Sequence, residues 1–196
     1  MIHFAALKAV GESVSKPLEY YFNNLNSLMN VLTCMREFKV PNLVFSSSCT
    51  VYGQADVLPV TEKTPRHEAE SPYGNTKVMS EDIIRDLMRV EPDMKALALR
   101  YFNPIGAHPT AFIGELPNGV PNNLIPYLTQ TAIGIREQLS VFGDDYNTPD
   151  GSPLRDYIDV VDLAQAHVVA IRRLLDGKNK KNYEFFNICL LYTSPS

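Results

Sequence analysis

Apolar residues along this chain switch between two spacings, and the switches mark its elements. Met1 to Phe4 is short and apolar and predicts a strand. Pro17 opens a stretch in which Leu18, Tyr21, Leu25, Leu28, Leu32 and Met35 recur every three or four residues. That spacing predicts a helix reaching Phe38 with these side chains on one core-facing stripe, and proline suits its first position. Asn42 to Ser47 is the kind of apolar run found in strands buried on both faces. A polar, proline-containing loop follows from Gly53 to Ser71. Ser71 predicts an N-cap with Pro72 at the first helical position, and the helix continues to Arg89. Ala96 to Tyr101 predicts a further strand, ended by Asn103 and Pro104. Gly106 to Asn123 is rich in glycine and proline and predicts a long loop of the kind that often binds ligands. Beyond it, Leu124 to Gln138 predicts a helix and Leu139 to Phe142 a short strand. Asp159 to Leu175 predicts a helix striped by Val160, Leu163, Ala164, His167, Val168, Ile171 and Leu174, and Tyr183 to Ile188 a last strand. Strand and helix alternate, which predicts an α/β domain on a mainly parallel sheet.

On these elements, one spacing carries chemistry. Tyr73 and Lys77 lie four residues apart at the start of a helix, so they share a face. An ammonium beside a phenol favours the phenolate and lowers a pKa that is ordinarily about 10. A tyrosine tuned in this way can act as a general base on a sugar hydroxyl. Ser48, at the end of the apolar run Leu43 to Ser48, can hydrogen-bond the same oxygen. A tyrosine and a lysine at this spacing are common; a strand-end serine, a loop and then Pro-Tyr-x-x-x-Lys opening a helix are specific.

Composition narrows the field. With 45% hydrophobic and 20% charged residues in 196, the chain reads as an ordinary globular protein. A net charge of −4 argues against a general nucleic-acid surface, and no apolar run is long enough to span a bilayer. Cys34, Cys49 and Cys189 are widely spaced without a CxxC pair, which fits a reducing compartment and a cytoplasmic location. His67, His108 and His167 lack metal-ligand spacing, so no metal site is expected. The carboxylates of Asp144, Asp145, Asp156, Asp159 and Asp162 read as solvated or helix-capping groups, and Lys178 to Lys181 as a solvated turn.

With the elements in place, the chain resembles the UDP-glucose (UDP-galactose) 4-epimerases of the extended short-chain dehydrogenase/reductase family. The segments that carry the likeness are His3 to Ser13, Phe45 to Gly53, Ser71 to Lys77, Arg100 to Pro104, Pro121 to Leu124 and Arg155 to Tyr157. The resemblance implies Ser48, Tyr73 and Lys77 as the catalytic set. It implies an NAD site lined by Phe4, Ala5, Ala6, Leu7, Lys8 and Asn23, with Ser48, Tyr73 and Lys77 also touching the cofactor and Phe102 packing by the nicotinamide. It implies a UDP-hexose substrate held by Lys8, Ser48, Tyr73, Asn103, Asn122, Asn123 and Leu124, with Ser140, Val141 and Phe142 flanking the uracil and Arg155 on the diphosphate. An isomerase of galactose metabolism, working as a homodimer through paired helices, follows from the same likeness. The chain departs from the family at Ala6 (usually glycine), Cys49 (usually alanine), Asp159 (often histidine) and Ser152-Pro153-Leu154 before Arg155.

Two neighbouring readings stand beside the epimerase. A nucleotide-sugar dehydratase would want an acid and a base directly after the serine, where Cys49 and Thr50 stand instead. An inert binding fragment is the other reading, because a dinucleotide-binding sheet needs a Gly-rich turn after its first strand, and no G-x-G-x-x-G is present. The expected architecture is therefore a partial doubly wound, Rossmann-type parallel sheet lacking its first βαβ units, with part of a smaller substrate-binding domain. Residues 1–104 read as the C-terminal portion of the NAD-binding domain. Residues 105–188 read as a nucleotide-sugar region interleaved with its last elements. Residues 189–196 read as an adaptor-derived tail, and the piece alone is expected to turn nothing over.

Overall fold

A four-stranded, fully parallel sheet organises the chain. The computed structural model describes residues 1–141 and 143–189. The strands are β1 (Ile2–His3), β2 (Asn42–Ser46), β3 (Lys95–Tyr101) and β6 (Tyr183–Ile188), hydrogen-bonded in the order β1-β2-β3-β6. The register sets Ile2 beside Val44, Val44 beside Leu97 and Leu97 beside Glu184. Helices α2 (Pro17–Glu37) and α3 (Pro72–Val90) cover one face, and α5 (Val160–Leu175) covers the other.

Strand periodicity divides the core between these layers. Leu43 and Phe45 of β2 and Ala96 and Ala98 of β3 pack on Leu28, Leu32 and Met35 of α2 and on Ile84 and Met88 of α3. Their neighbours Val44, Leu97 and Leu99 point to the opposite side and meet Ala170 and Leu174 of α5. Alternate side chains of one strand thus serve two cores, which is why β2 and β3 read as unbroken apolar runs. The expected strands of this sheet and the three long helices appear, with Asp159 accepting from Val161 N and Asp162 N as the cap of α5.

The differences have local causes. At the start of α2 the inward positions are Tyr20 and Asn24, while Leu18 is exposed and Tyr21 half-buried. Those polar side chains are buried because they hold other segments: Tyr20 OH donates to Glu12 Oε2 at 2.9 Å and Asn24 binds Leu7. Glu12 belongs to α1 (Val10–Ser15), a short helix absent from the sequence reading. Helix α4 spans Leu124–Ala132 and stops short of Gln138. Gly134 takes a φ of +78°, and Ile135 N donates back to Gln130 O, closing the helix as glycine at such a position allows. Residues 139–141 form no strand, and Phe142 lies outside the described residues. In the last helix, Ala164 and Val168 of the expected stripe are exposed and Ala170 is buried instead. A second sheet was also unforeseen: β4 (Asn103–Ile105) pairs in parallel with β5 (Tyr157–Asp159). Most of the expected tail, residues 190–196, lies outside the described residues.

Ile84 is fully buried between α3 and the sheet. An Ile84→Ala substitution is expected to lower unfolding stability by about 2–5 kcal/mol, while Val90→Ala on the exposed end of α3 changes it by less than about 0.5 kcal/mol. Urea midpoints at constant m-value decide the comparison.

Candidate active site

Ser48 leaves the sheet just past β2. Ser47 N donates to Leu99 O at 2.9 Å, which extends the strand ladder by one residue. Ser48 is extended and caps a single 3-10 turn, Cys49–Tyr52, its hydroxyl accepting from Thr50 N at 3.3 Å. Helix α3 begins against that turn. Its cap, Ser71, accepts from Gly74 N at 3.1 Å. Gly74 allows the close approach, since a Cβ there would sit 3.3 Å from Thr50 Cβ. Tyr73, next to Gly74, consequently lies within hydrogen-bond reach of Ser48. One turn on, Lys77 is buried with its Nζ donating to Ser46 O at 2.8 Å and standing 5.7 Å from the centre of the Tyr73 ring. The structure brings together all three residues that the sequence paired.

Their electrostatics differ from the expectation. Burial lowers Lys77 to about 8, opposed by the negative charge of Glu81. Tyr73 is pushed well above its ordinary value by burial and then by Tyr101, and the Ser48 hydrogen bond only partly counters this. Lys77 does not lower the phenol in this arrangement, because its ammonium is directed at the Ser46 carbonyl and lies over the ring rather than at its oxygen. As it stands, Tyr73 is a protonated phenol at neutral pH. His3, buried and stacked on Phe45, is lowered by burial and then by Lys77, which fits a structural imidazole.

The loop from Phe4 to Lys8 follows β1 at the carboxyl edge of the sheet, where open parallel sheets bind ligands. Asn24 secures it, its Oδ1 accepting from Leu7 N at 2.8 Å and its Nδ2 donating to Leu7 O at 3.1 Å. Phe4 is 57% exposed, while Leu7, Lys8 and Asn23 are also open to solvent. Asn23 itself donates to Asn24 Oδ1 at 3.0 Å. Phe102, directly after β3, is half-buried on the same edge. These residues fit a dinucleotide: the loop is pinned yet exposed, and Lys77 uses one acceptor among the described residues while an ammonium has three donors. Ala5 and Ala6 add no bulk to the approach.

A cavity of about 240 Å³ lies beside this edge, lined by Asn103, Asn122, Asn123, Leu124 and Arg155 together with Glu115 and Tyr157. A larger one, about 450 Å³, adjoins it and is lined by Lys8, Glu115, Asn123 and the apolar Ile105, Ile113, Val160 and Val161. Ser140 and Val141 are exposed and line neither cavity, and Phe142 lies outside the described residues. Pattern reading missed Glu115, whose Oε1 accepts from Asn123 Nδ2 at 3.2 Å and pairs with Lys8 Nζ at 3.5 Å. No spacing marks that residue, because its partners are brought to it by the long loop. Arg100 and Glu81 were missed too. Arg100 is the only charge inside the apolar run Ala96 to Tyr101, and that isolation was the available signal.

Comparison with known proteins agrees with this geometry. The NAD dependent epimerase/dehydratase family matches over residues 1–189. The UDP-glucose 4-epimerase of Mus musculus is 54% identical over 183 residues, covering 93% of this chain and 53% of the mouse protein. The solved UDP-glucose 4-epimerase from Bifidobacterium longum, in complex with NAD+ and UDP, aligns with a TM-score of 0.89 at 48% identity, over 96% of this chain and 55% of that one. The one from Brucella ovis, in complex with NAD, aligns with a TM-score of 0.87 at 40% identity, over 96% and 56%. The chain therefore spans about half the length of the relatives it matches. A family match that runs through every described strand and helix, on a sheet of the same fold, makes this chain a member of the NAD dependent epimerase/dehydratase family.

Proposed function

We propose that this chain forms the catalytic part of an enzyme interconverting UDP-galactose and UDP-glucose. The observation that carries the reading is the contact of Ser48 with Tyr73, one helical turn from buried Lys77, at a sheet edge beside the Asn103 and Arg155 cavity. NAD, when bound along Phe4 to Lys8 and Asn23 with Phe102 beside it, supplies reversible redox chemistry at C4 of the hexose. Tyr73 exchanges the proton of the 4-hydroxyl, and Ser48 hydrogen-bonds the same oxygen. Lys77 carries most of its charge at neutral pH and contributes a positive field to this face. Further positive charge at the site is what converts Tyr73 from the donor described above to a base. Arg155 suits a diphosphate because its fork of donors meets two oxygens at once. Asn103, Asn122 and Asn123 both donate and accept, as sugar hydroxyls require. Leu124 supplies an apolar wall, Lys8 a cation, and Ser140, Val141 and Phe142 complete the uracil side in this reading.

The proposal extends to assembly and location. Helix α2 exposes Leu18 and Phe22 at 81% and 75%, an apolar face suited to pairing with a second copy as a homodimer. Three free cysteines fit a cytoplasmic enzyme, and among the described residues no helix is long and apolar enough to cross a membrane.

The decisive experiment assays protein from the complete reading frame on UDP-galactose, following UDP-glucose formation. Tyr73→Phe is expected to lower kcat by on the order of 10²–10⁴-fold; retention of normal turnover would remove Tyr73 from the proposed role. Activity is also expected to decline as pH rises through about 8, where Lys77 loses its proton. Lys77→Met should abolish that alkaline limb along with most of the turnover, and an unchanged pH–rate profile in this variant would exclude Lys77.

A further inference from the structure

Glu81 is fully buried, one turn beyond Lys77 on α3. Its Oε1 accepts from Ser47 Oγ at 2.5 Å and from Arg100 Nε at 2.9 Å. Its Oε2 accepts from Arg100 Nη2 at 2.6 Å and from Arg66 Nη2. Arg100 is itself buried, donates to Tyr52 OH at 2.9 Å and lies 3.8 Å from the centre of the Phe185 ring. One carboxylate thus ties α3 to the end of β2, to β3 and to the loop from Gly53 to Ser71.

We propose that Glu81 is a positioning residue for the Ser48, Tyr73 and Lys77 face, acting on Ser48 through Ser47 and on Lys77 along α3. The role rests on the epimerase reading for its purpose, and its first test does not depend on turnover. Ser47 is the residue from which Ser48 departs, so a hydrogen bond to its side chain fixes the peptide that aims the Ser48 hydroxyl. Tyr52, at the far end of the turn that Ser48 caps, is held through Arg100 by the same carboxylate. Both ends of the turn are therefore referenced to α3.

The second arm is electrostatic. Burial pushes the Glu81 carboxyl up, but the Arg100 bonds and charge, then Ser47 and Arg66, hold it below the usual range and keep it ionised. No ion pair forms with Lys77, whose Nζ is directed at Ser46 O, so Glu81 acts across space. The titratable groups around Lys77 are His3 from β1, Tyr101 from β3, which bonds Ser46 Oγ, and Tyr73 and Glu81 on α3. Glu81 is the anion of that set and opposes the loss of charge that burial imposes on Lys77.

The test uses protein from the complete reading frame carrying ¹³C-labelled lysine, with the Lys77 signal assigned by its loss in Lys77→Met. In Glu81→Gln the Lys77 titration midpoint is expected to move to lower pH. Because this variant leaves Arg100 charged and buried, the double variant Glu81→Gln/Arg100→Met is measured alongside. It removes both charges, and Arg100 is not among the groups that shift Lys77. Ser47→Ala keeps both charges and is expected to lower kcat by on the order of tenfold at unchanged KM, with the Lys77 midpoint in place. A Lys77 midpoint that stays fixed in folded Glu81→Gln and in the double variant overturns the electrostatic arm. Wild-type kcat in Ser47→Ala overturns the geometric one. A shifted Lys77 midpoint in a protein that turns over no UDP-hexose upholds this arm and discards the epimerase reading instead.

Discussion

An ionised carboxylate enclosed by protein loses several kcal/mol of hydration, and the fold must return that with charged donors in good geometry. In this chain the Glu81 carboxylate is met by donors from three other segments, two of them guanidinium groups. Those segments are the end of β2, the end of β3 and the loop before α3. Arg100 continues the connection through Tyr52 to Asn187 at the end of β6, where Tyr52 OH donates to Asn187 Oδ1 at 2.7 Å. The backbone of Asn187 in turn donates to Glu62 Oε1 at 2.8 Å. The elements that present Ser48, Tyr73 and Lys77 are thus fixed by one network lying beneath them.

Around that network the apolar layers supply stability without choosing a geometry. Leucine, isoleucine and methionine fill the space between sheet and helices, and such cores tolerate exchange if volume is kept. Hydrogen bonds to a buried carboxylate tolerate far less, because each missing donor leaves an uncompensated group. The division of labour follows: the two apolar cores hold the layers together, while polar contacts such as Asn24 on Leu7 and Glu81 on Ser47 define the carboxyl edge of the sheet.

Much of this was legible beforehand. Runs such as Leu43 to Ser46 and Ala96 to Tyr101 declare their strands because both faces of the sheet are covered. The Ser48, Tyr73 and Lys77 grouping was legible because helix spacing and a serine at a strand end are local features. What failed was whatever depends on distant partners. Tyr20 and Asn24 turned inward at the expense of Leu18 because Glu12 and Leu7 needed partners, which no hydropathy pattern encodes. The phenol of Tyr73 rises through burial and then through Tyr101 beside it, neighbours that only the folded chain supplies. The pairing of β4 with β5 joins segments that lie on either side of α4 and its two flanking loops, and neither has an apolar period of its own.

That small second sheet has an implication for how such a chain can change. Ile105 lies beside Asp159, so the polypeptide departs from the sheet edge and comes back to the same spot. What runs between them, including Asn122, Asn123 and Arg155 of the cavity, is an excursion with its two ends fastened together. Lengthening an excursion whose ends are already closed adds only a slowly growing entropy term. Ser48 sits just past β2, and Tyr73 and Lys77 sit on α3, outside the excursion altogether. In the proposed reading, the contacts of Asn122, Asn123, Leu124 and Arg155 can therefore be rewritten within one contiguous stretch of gene, while Ser48, Tyr73 and Lys77 are inherited intact.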